Sequence, residues 1–285
     1  MRVAFLGTGI MGLPMARNVA QADIDVSAWN RTAEKAEPLR NDGAEVVAEP
    51  AEAAAGADLL VTMLTDADAV LSLVDEALLE AAGDALWVQM GTIGLEGTAR
   101  CAELAQRAGV ELVDAPVLGT KQPAEMGALI VLASGPDSSR QRCEPLFDAV
   151  GQRTLWLGPA GEGTRMKLVA NAWVVSLIES LGETIAFAEG VGADPKGFLE
   201  AIQGGSMDSD YAQMKGKAMV ERSFEPAFPL RHAAKDAGLV LDAAGEADMS
   251  LPLLEAVRSQ MQRAIELGHG DEDLSATVEA ARDSG

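Results

Sequence analysis

Val3-Ala4-Phe5-Leu6 runs without a break into Gly7-Thr8-Gly9-Ile10-Met11-Gly12, and residues 11–20 follow as an amphipathic segment. The first four residues read as a buried strand, the next six fit G-x-G-x-x-G, and the amphipathic segment reads as a helix. Three spaced glycines mean little alone; between a strand and a helix they become specific. Gly7 makes the tight turn, Gly9 lets backbone approach a pyrophosphate, and Gly12 lets the helix pack close on the strand. The helix N-terminus then offers Thr8, Ile10 and Met11 backbone and a positive dipole end to the phosphates.

Outward from this loop, strand-like runs recur at residues 3–6, 25–29, 44–47, 59–64, 86–90, 112–114, 129–133 and 154–157, with helical stretches such as 11–20 and 33–41 between the early ones. Strand and helix alternating at this spacing argue for a parallel sheet covered by helices. Right-handed crossovers make it a doubly wound α/β fold, a Rossmann sheet domain over residues 1–160. After Gly158-Pro159-Ala160-Gly161 the pattern changes. From Glu162 to about Gly190 there is no proline and only an isolated Gly163 and Gly182. Such a stretch gives a helix of roughly 40 Å, assigned here to an interdomain segment 161–191. Residues 192–285 read as an all-α domain. Asp194-Pro195 is a helix start, Ser206 and Ser250 are candidate caps, and Asp271-Glu272-Asp273 reads as a solvated acidic turn.

The end of the second strand bears on the choice of dinucleotide. An Asp or Glu there would bond the ribose 2′-hydroxyl of NAD. This chain has Asn30-Arg31-Thr32. Arg31 can pair with a 2′-phosphate, Thr32 can donate to it, and Lys35 adds a second cation one turn on. The expected cofactor is NADP(H).

Composition narrows the rest. Asp plus Glu total 44 against 22 Lys plus Arg, a formal charge of -22. Such acidity disfavours nucleic acid and anionic membrane surfaces as partners. No apolar run looks long enough to cross a membrane, and the N-terminus lacks a signal-peptide layout, so a cytoplasmic protein is expected. Cys101 and Cys143 are too few for a disulfide framework or a four-cysteine metal site and read as packed in helices. His232 and His269, the only histidines, sit in no hydrolase or zinc pattern.

Two further segments carry chemistry. Asp114-Ala115-Pro116-Val117-Leu118-Gly119-Thr120-Lys121-Gln122-Pro123 ends a strand in a Pro- and Gly-bearing loop on the carboxyl side of the sheet, where open α/β folds bind ligands. Lys167 and Asn171 stand at i and i+4 and share one face of the long helix. Among apolar neighbours, a lysine's charged form is desolvated, which suits it to proton transfer; the alternative is a lysine reaching to solvent, with Asn171 bonding backbone.

Four motifs in order resemble the β-hydroxyacid dehydrogenases, which include 3-hydroxyisobutyrate dehydrogenase. They are the loop at residues 7–12, Asp114-Ala115-Pro116-Val117, Gly163-x-x-x-Lys167-x-x-x-Asn171, and Lys235-Asp236 followed by Leu239. Lys121-Gln122-Pro123-Ala124-Glu125 and Pro226-Ala227-Phe228-Pro229-Leu230-Arg231-His232 are similar to the glyoxylate/succinic semialdehyde reductase branch. The resemblance implies an NADPH-dependent reductase of small aldehyde or keto acids to hydroxy acids. It makes Lys167 the general acid, Asn171 a partner of the carbonyl oxygen, and Asp236 the group that orients and charge-balances Lys167. It puts Lys235, Met63 and Leu64 against the cofactor, Thr92 beside nicotinamide and substrate, Leu118, Gly119 and Thr120 near the substrate carboxylate, and Phe228 over the pocket. It also implies a homodimer or homotetramer. Two positions depart from the family's usual residues: Leu118 stands where serine is usual, and Gly91-Thr92 where Ser-Thr is usual. Both fall at the substrate end and imply an altered acceptor. The competing readings are a related imine reductase and a non-catalytic NADPH-binding module that oligomerises.

Overall fold

The computed structural model describes residues 1–283. Six strands form one parallel sheet: β1 (Arg2–Leu6), β2 (Asp25–Trp29), β3 (Glu45–Val46), β4 (Leu59–Thr62), β5 (Leu86–Gln89) and β6 (Leu112–Asp114), in the order β3-β2-β1-β4-β5-β6. The central strands are buried on both faces, which is why β4 and β5 read as continuous apolar runs rather than alternating ones. One core lies on each face. Val3, Phe5, Met15, Val61 and Val88 pack on one side, and Leu6, Leu60, Leu79, Trp87 and Cys101 on the other. The strand order reverses direction between β1 and β4, and the crevice outside their carboxyl ends is where such sheets take ligands.

A second, three-stranded sheet extends this unit, in the order β7 (Val117–Leu118), β8 (Leu129–Ala133), β9 (Gly151–Trp156). β7 runs antiparallel to β8 in the register Val117↔Val131 and Leu118↔Ile130. The sequence reading took residues 115–123 as loop, because a two-residue strand has no period to detect. It also began the last strand at 154 rather than 151, since Gln152 and Arg153 are exposed and break the apolar pattern. Residues 33–41, expected as one helix, are two short 3-10 turns, Ala33–Lys35 and Glu37–Asp42. Pro38 has no N–H to continue a helical ladder there.

The chain divides into two compact units, Met1–Lys167 and a second beginning at Leu168. The division falls inside a single helix, Glu162–Val191. That helix is long and apolar enough to cross a membrane by length and composition, with a mean hydropathy of 1.2. The expectation that no segment would reach that threshold is therefore corrected. Within the helix two of the polar side chains that interrupt the apolar run are buried and bonded: Asn171 to Asp236, and Glu179 to Thr277.

The second unit contains the helices Pro195–Ile202, Asp210–Glu221, Leu230–Glu246, Pro252–Ala264 and Val278–Arg282. Asp194 caps the first of these through the Lys196 N–H at 2.9 Å, with Pro195 in the first turn. The other expected caps differ. Ser209, not Ser206, accepts from the Ala212 N–H, and the helix after Ser250 starts behind Leu251 without a side-chain cap. Cys101 and Cys143 are buried in helices, and burial pushes both thiols up to about 12.

Candidate active site

The phosphate-loop reading can be tested glycine by glycine. Gly7 has φ +105°, and its N–H donates to the Trp29 carbonyl at 2.9 Å. A Cβ there would lie 2.4 Å from the Met63 carbonyl oxygen, so the turn after β1 can lie against the residue after β4 only with glycine at this position. A Cβ on Gly12 would lie 1.9 Å from the Gly7 carbonyl oxygen, so the helix can sit this close only with glycine. Gly9 is different. Nothing lies within 4 Å of its Cβ position, leaving its backbone open to a ligand. Beside it, Thr8 is buried and its Oγ1 has no protein partner, while the first turn of the helix Gly12–Gln21 has neither a side-chain cap nor an acidic residue. An orphaned hydroxyl, an open glycine and an uncapped helix start fit a pyrophosphate.

Ile10 is exposed and Met11 half-buried at this loop. Asn30, at the end of β2, accepts from the Thr8 N–H at 2.9 Å and donates through Nδ2 to the Thr32 carbonyl, also at 2.9 Å. Arg31, Thr32 and Lys35 are exposed on the turn that Asn30 shapes. Met63 and Leu64 are half-buried just beyond β4.

Beyond β5 the loop with Gly91 and half-buried Thr92 is held by Gln89. Gln89 Oε1 accepts from the Gly91 N–H at 3.0 Å, and its Nε2 donates to the Gly91 carbonyl at 2.7 Å. Thr62 Oγ1 donates to the same Oε1 and accepts from the Trp87 indole at 3.0 Å, so a buried polar chain ties the ends of β4 and β5. A Cβ on Gly91 would lie 2.5 Å from the Leu64 carbonyl oxygen. Steric contact with the neighbouring loop accounts for glycine at this position. Gln89 was missed in the sequence, although a polar residue closing a fully apolar strand was its signal.

Asp114, fully buried at the end of β6, holds the start of the long helix. Its carboxylate accepts from the Thr164 N–H at 2.7 Å and from Thr164 Oγ1 at 2.8 Å. Ser134 Oγ donates to the Asp114 backbone carbonyl and accepts from the Gly163 N–H at 2.9 Å. A carboxylate on a helix N-terminus is well placed for the dipole. Burial still pushes its carboxyl above the usual range, opposed by the Thr164 and Ser134 hydrogen bonds. Gly163 permits this docking, since a Cβ would lie 2.2 Å from the Leu132 carbonyl.

One turn beyond Gly163, Lys167 is half-buried and its Nζ donates to the Val117 carbonyl at 2.9 Å. The missed strand β7 thus supplies the acceptor that orients the lysine. Leu118 is half-buried next to that acceptor. Gly119 follows at φ +125°, where a Cβ would meet Leu129 Cδ2 at 2.7 Å, and then comes half-buried Thr120. Among the residues of the second unit, buried Asn171 donates through Nδ2 to Asp236 Oδ2 at 2.8 Å, and Lys235 Nζ lies 2.8 Å from Asp236 Oδ1. Asp236 therefore fixes the Asn171 amide and pairs with a lysine. Phe228 is half-buried on a segment tied to Asp273.

Known proteins match the chain over nearly its whole length. Residues 2–158 match the model of the NAD binding domain of 6-phosphogluconate dehydrogenase, and residues 161–281 match that of the NAD-binding domain of NADP-dependent 3-hydroxyisobutyrate dehydrogenase. The chain belongs to the 3-hydroxyisobutyrate dehydrogenase-like family. It is 35% identical to glyoxylate/succinic semialdehyde reductase 1 of Arabidopsis thaliana over 99% of both chains. It is 34% identical to the chloroplastic reductase 2 of the same plant over 98% of this chain and 79% of that one. The Mycobacterium tuberculosis 3-hydroxyisobutyrate dehydrogenase structure superposes with a TM-score of 0.88 at 25% identity, covering 99% of each chain. As a member of this family the chain is an NAD(P)-dependent hydroxyacid dehydrogenase or reductase, acting on CH–OH donors with NADP(H) as cofactor.

Proposed function

We propose that the chain reduces small aldehyde or keto acids, of the glyoxylate and succinic semialdehyde type, to hydroxy acids with NADPH. The observation that carries this reading is Lys167, held by the Val117 carbonyl at 2.9 Å and followed one turn later by an Asn171 amide fixed on Asp236. An ammonium group supplies the proton an alkoxide needs as the carbonyl is reduced, and in the reverse direction the free amine accepts it. Asn171, its orientation set by Asp236, steadies the same oxygen. Lys235 neutralises Asp236, so that carboxylate does not repel an acidic substrate.

NADPH, when bound, supplies the hydride equivalent. Residues 7–12 would hold its pyrophosphate, with Arg31, Thr32 and Lys35 at the 2′-phosphate, Met63 and Leu64 along the cofactor, and Thr92 at the nicotinamide end. Leu118, Gly119 and Thr120 of the first unit are proposed as acceptor contacts, and Phe228 of the second unit is proposed in the same role. Leu118 carries no hydroxyl for a carboxylate and adds apolar bulk, which favours a larger or less polar acceptor than glyoxylate.

A homodimer or homotetramer is part of this reading, supported by Trp173 and Phe187 on the long helix, which are 71% and 70% exposed.

The test is NADPH oxidation, with NADH in parallel, against a carbonyl panel that includes glyoxylate and succinic semialdehyde. Lys167→Ala should lower turnover by about 10²–10⁴-fold. Equal rates in the two proteins would overturn the assignment of the acid.

A further inference from the structure

Phe228 has a backbone clamp that neither the motifs nor the family roles explain. In the acidic run 271–273, read from sequence as a solvated turn, Asp273 is only 2% exposed. Its Oδ2 accepts from the N–H groups of both Ala227 and Phe228 at 3.2 Å. Its own N–H donates to the Phe224 carbonyl at 3.0 Å, and the N–H of Leu274 donates to the Phe228 carbonyl at 2.8 Å. The segment 224–228 is thus gripped at both ends and from both sides by residues 273 and 274.

The carboxylate accepts these bonds most strongly when ionised, and a second buried group favours that form. Lys215, 4% exposed on the helix Asp210–Glu221, reaches both oxygens, at 2.7 and 2.9 Å. Ser275 donates to Oδ1 through its N–H at 3.0 Å and its hydroxyl at 2.8 Å. Burial alone would raise this carboxyl; Lys215, with the Ser275 donors, outweighs it and holds the group below the usual range. The Lys215 ammonium also lies 5.5 Å from the centroid of the Tyr211 ring, whose hydroxyl is buried without a partner. A buried ion pair is seldom a net gain in stability over an apolar pair of the same shape. Here its geometry serves a different end, since two adjacent backbone donors converge on one oxygen and fix the bend at Phe228.

We infer that the Lys215–Asp273 pair is a positioning device for Phe228, setting where that ring meets the acceptor and so which acceptors fit. The inference rests on the proposed role of Phe228 over the substrate. Asp273 and Lys215 touch neither substrate nor cofactor and act through the backbone of residues 227 and 228.

The experiment compares Asp273→Asn, Lys215→Met and the double variant in the full chain with NADPH. The readouts are amide hydrogen exchange at residues 227 and 228, KM and kcat for the best acceptor, NADPH affinity and Tm. Both single variants should lose amide protection and raise KM roughly ten- to a hundred-fold, with NADPH affinity nearly unchanged. The double variant, which buries no charge, should regain most of the lost Tm but keep the raised KM. Phe228→Ala should raise KM comparably, and adding Asp273→Asn to it should raise KM little further, as expected for residues acting through one group. Recovery of KM together with Tm in the double variant would reduce the pair to a structural role and overturn the inference. Unchanged amide protection in Asp273→Asn would overturn the clamp whatever the substrate proves to be. Failure of the wild-type protein to turn over any carbonyl would instead count against the proposed function.

Discussion

The Thr8 N–H donates to Asn30 Oδ1 across 2.9 Å, joining the phosphate loop after β1 to the turn after β2. Because Asn30 also donates to the Thr32 carbonyl, one side chain sets both the pyrophosphate loop and the turn that displays Arg31. Asn30→Ala should weaken NADPH binding by about tenfold, the worth of one well-made hydrogen bond. Arg31→Ala should weaken NADPH but leave NADH binding nearly untouched, because only NADPH carries the 2′-phosphate. Fluorescence titration of both cofactors checks the pair of variants. Equal losses for NADH and NADPH in Arg31→Ala would remove Arg31 from the 2′-phosphate site.

Installing the family's usual serine at Gly91 should harm this protein. The new Cβ would lie 2.5 Å from the Leu64 backbone oxygen and 3.3 Å from Gln89 Oε1, and a backbone carbonyl cannot move aside as cheaply as a flexible side chain. Overpacking of this kind costs about 1–3 kcal/mol, or a few degrees of Tm per kcal/mol at this size. Gly91→Ser should therefore melt lower and bind NADPH more weakly. A variant with wild-type Tm would show that the Leu64 loop yields.

Glu179 gives stability a pH dependence. Burial raises its carboxyl from an ordinary 4.5 to about 7, despite a hydrogen bond from Thr277, and Glu183 adds to the rise. A folded pKa above the unfolded one means the folded state holds the proton longer. The contribution is full below the unfolded pKa and is lost as pH climbs from about 4.5 through about 7. The whole difference is worth on the order of 3 kcal/mol. Glu179→Gln, neutral at every pH, should flatten the fall in Tm between pH 5 and 8 and be the more stable protein at pH 8. Parallel melting curves for the two proteins across that range would contradict this.

Salt should affect cofactor binding little. The chain carries a formal charge of -22 while its expected ligands are anions, so screening weakens repulsion from the whole surface as well as attraction to Arg31 and Lys35. NADPH affinity between about 0.05 and about 0.5 M salt should change less than in a neutral relative. A steep loss over that range would point to a locally basic surface around the site.

Much of this was open to sequence reading, for definable reasons. The strands Asp25–Trp29, Leu112–Asp114 and Leu129–Ala133 coincide with their apolar runs, and the helix Glu162–Val191 with its proline-free stretch, because burial on one or both faces writes a period into the chain. Elements without such a period were lost. Val117–Leu118 is too short to alternate, yet its carbonyl orients Lys167. Asp273 looked like its neighbours Asp271 and Glu272, because composition cannot distinguish a solvated acid from one neutralised by a lysine 58 positions away. Asp114 was recognised within a motif, but its work of docking Thr164 on the end of β6 depends on a distance that only the fold creates.

The helix Glu162–Val191 sets a limit on exchanging parts among relatives. The border between the two compact units passes between Lys167 and Leu168, within the turn that joins the candidate proton donor to Asn171. A chimaera spliced at that border would inherit the lysine from one parent and the asparagine, with its Asp236 anchor, from the other. Grafting acceptor preference from a relative should therefore succeed only when the exchange begins upstream of Gly163 or spares the helix entirely, so the boundary seen in the fold is a poor place to recombine the gene.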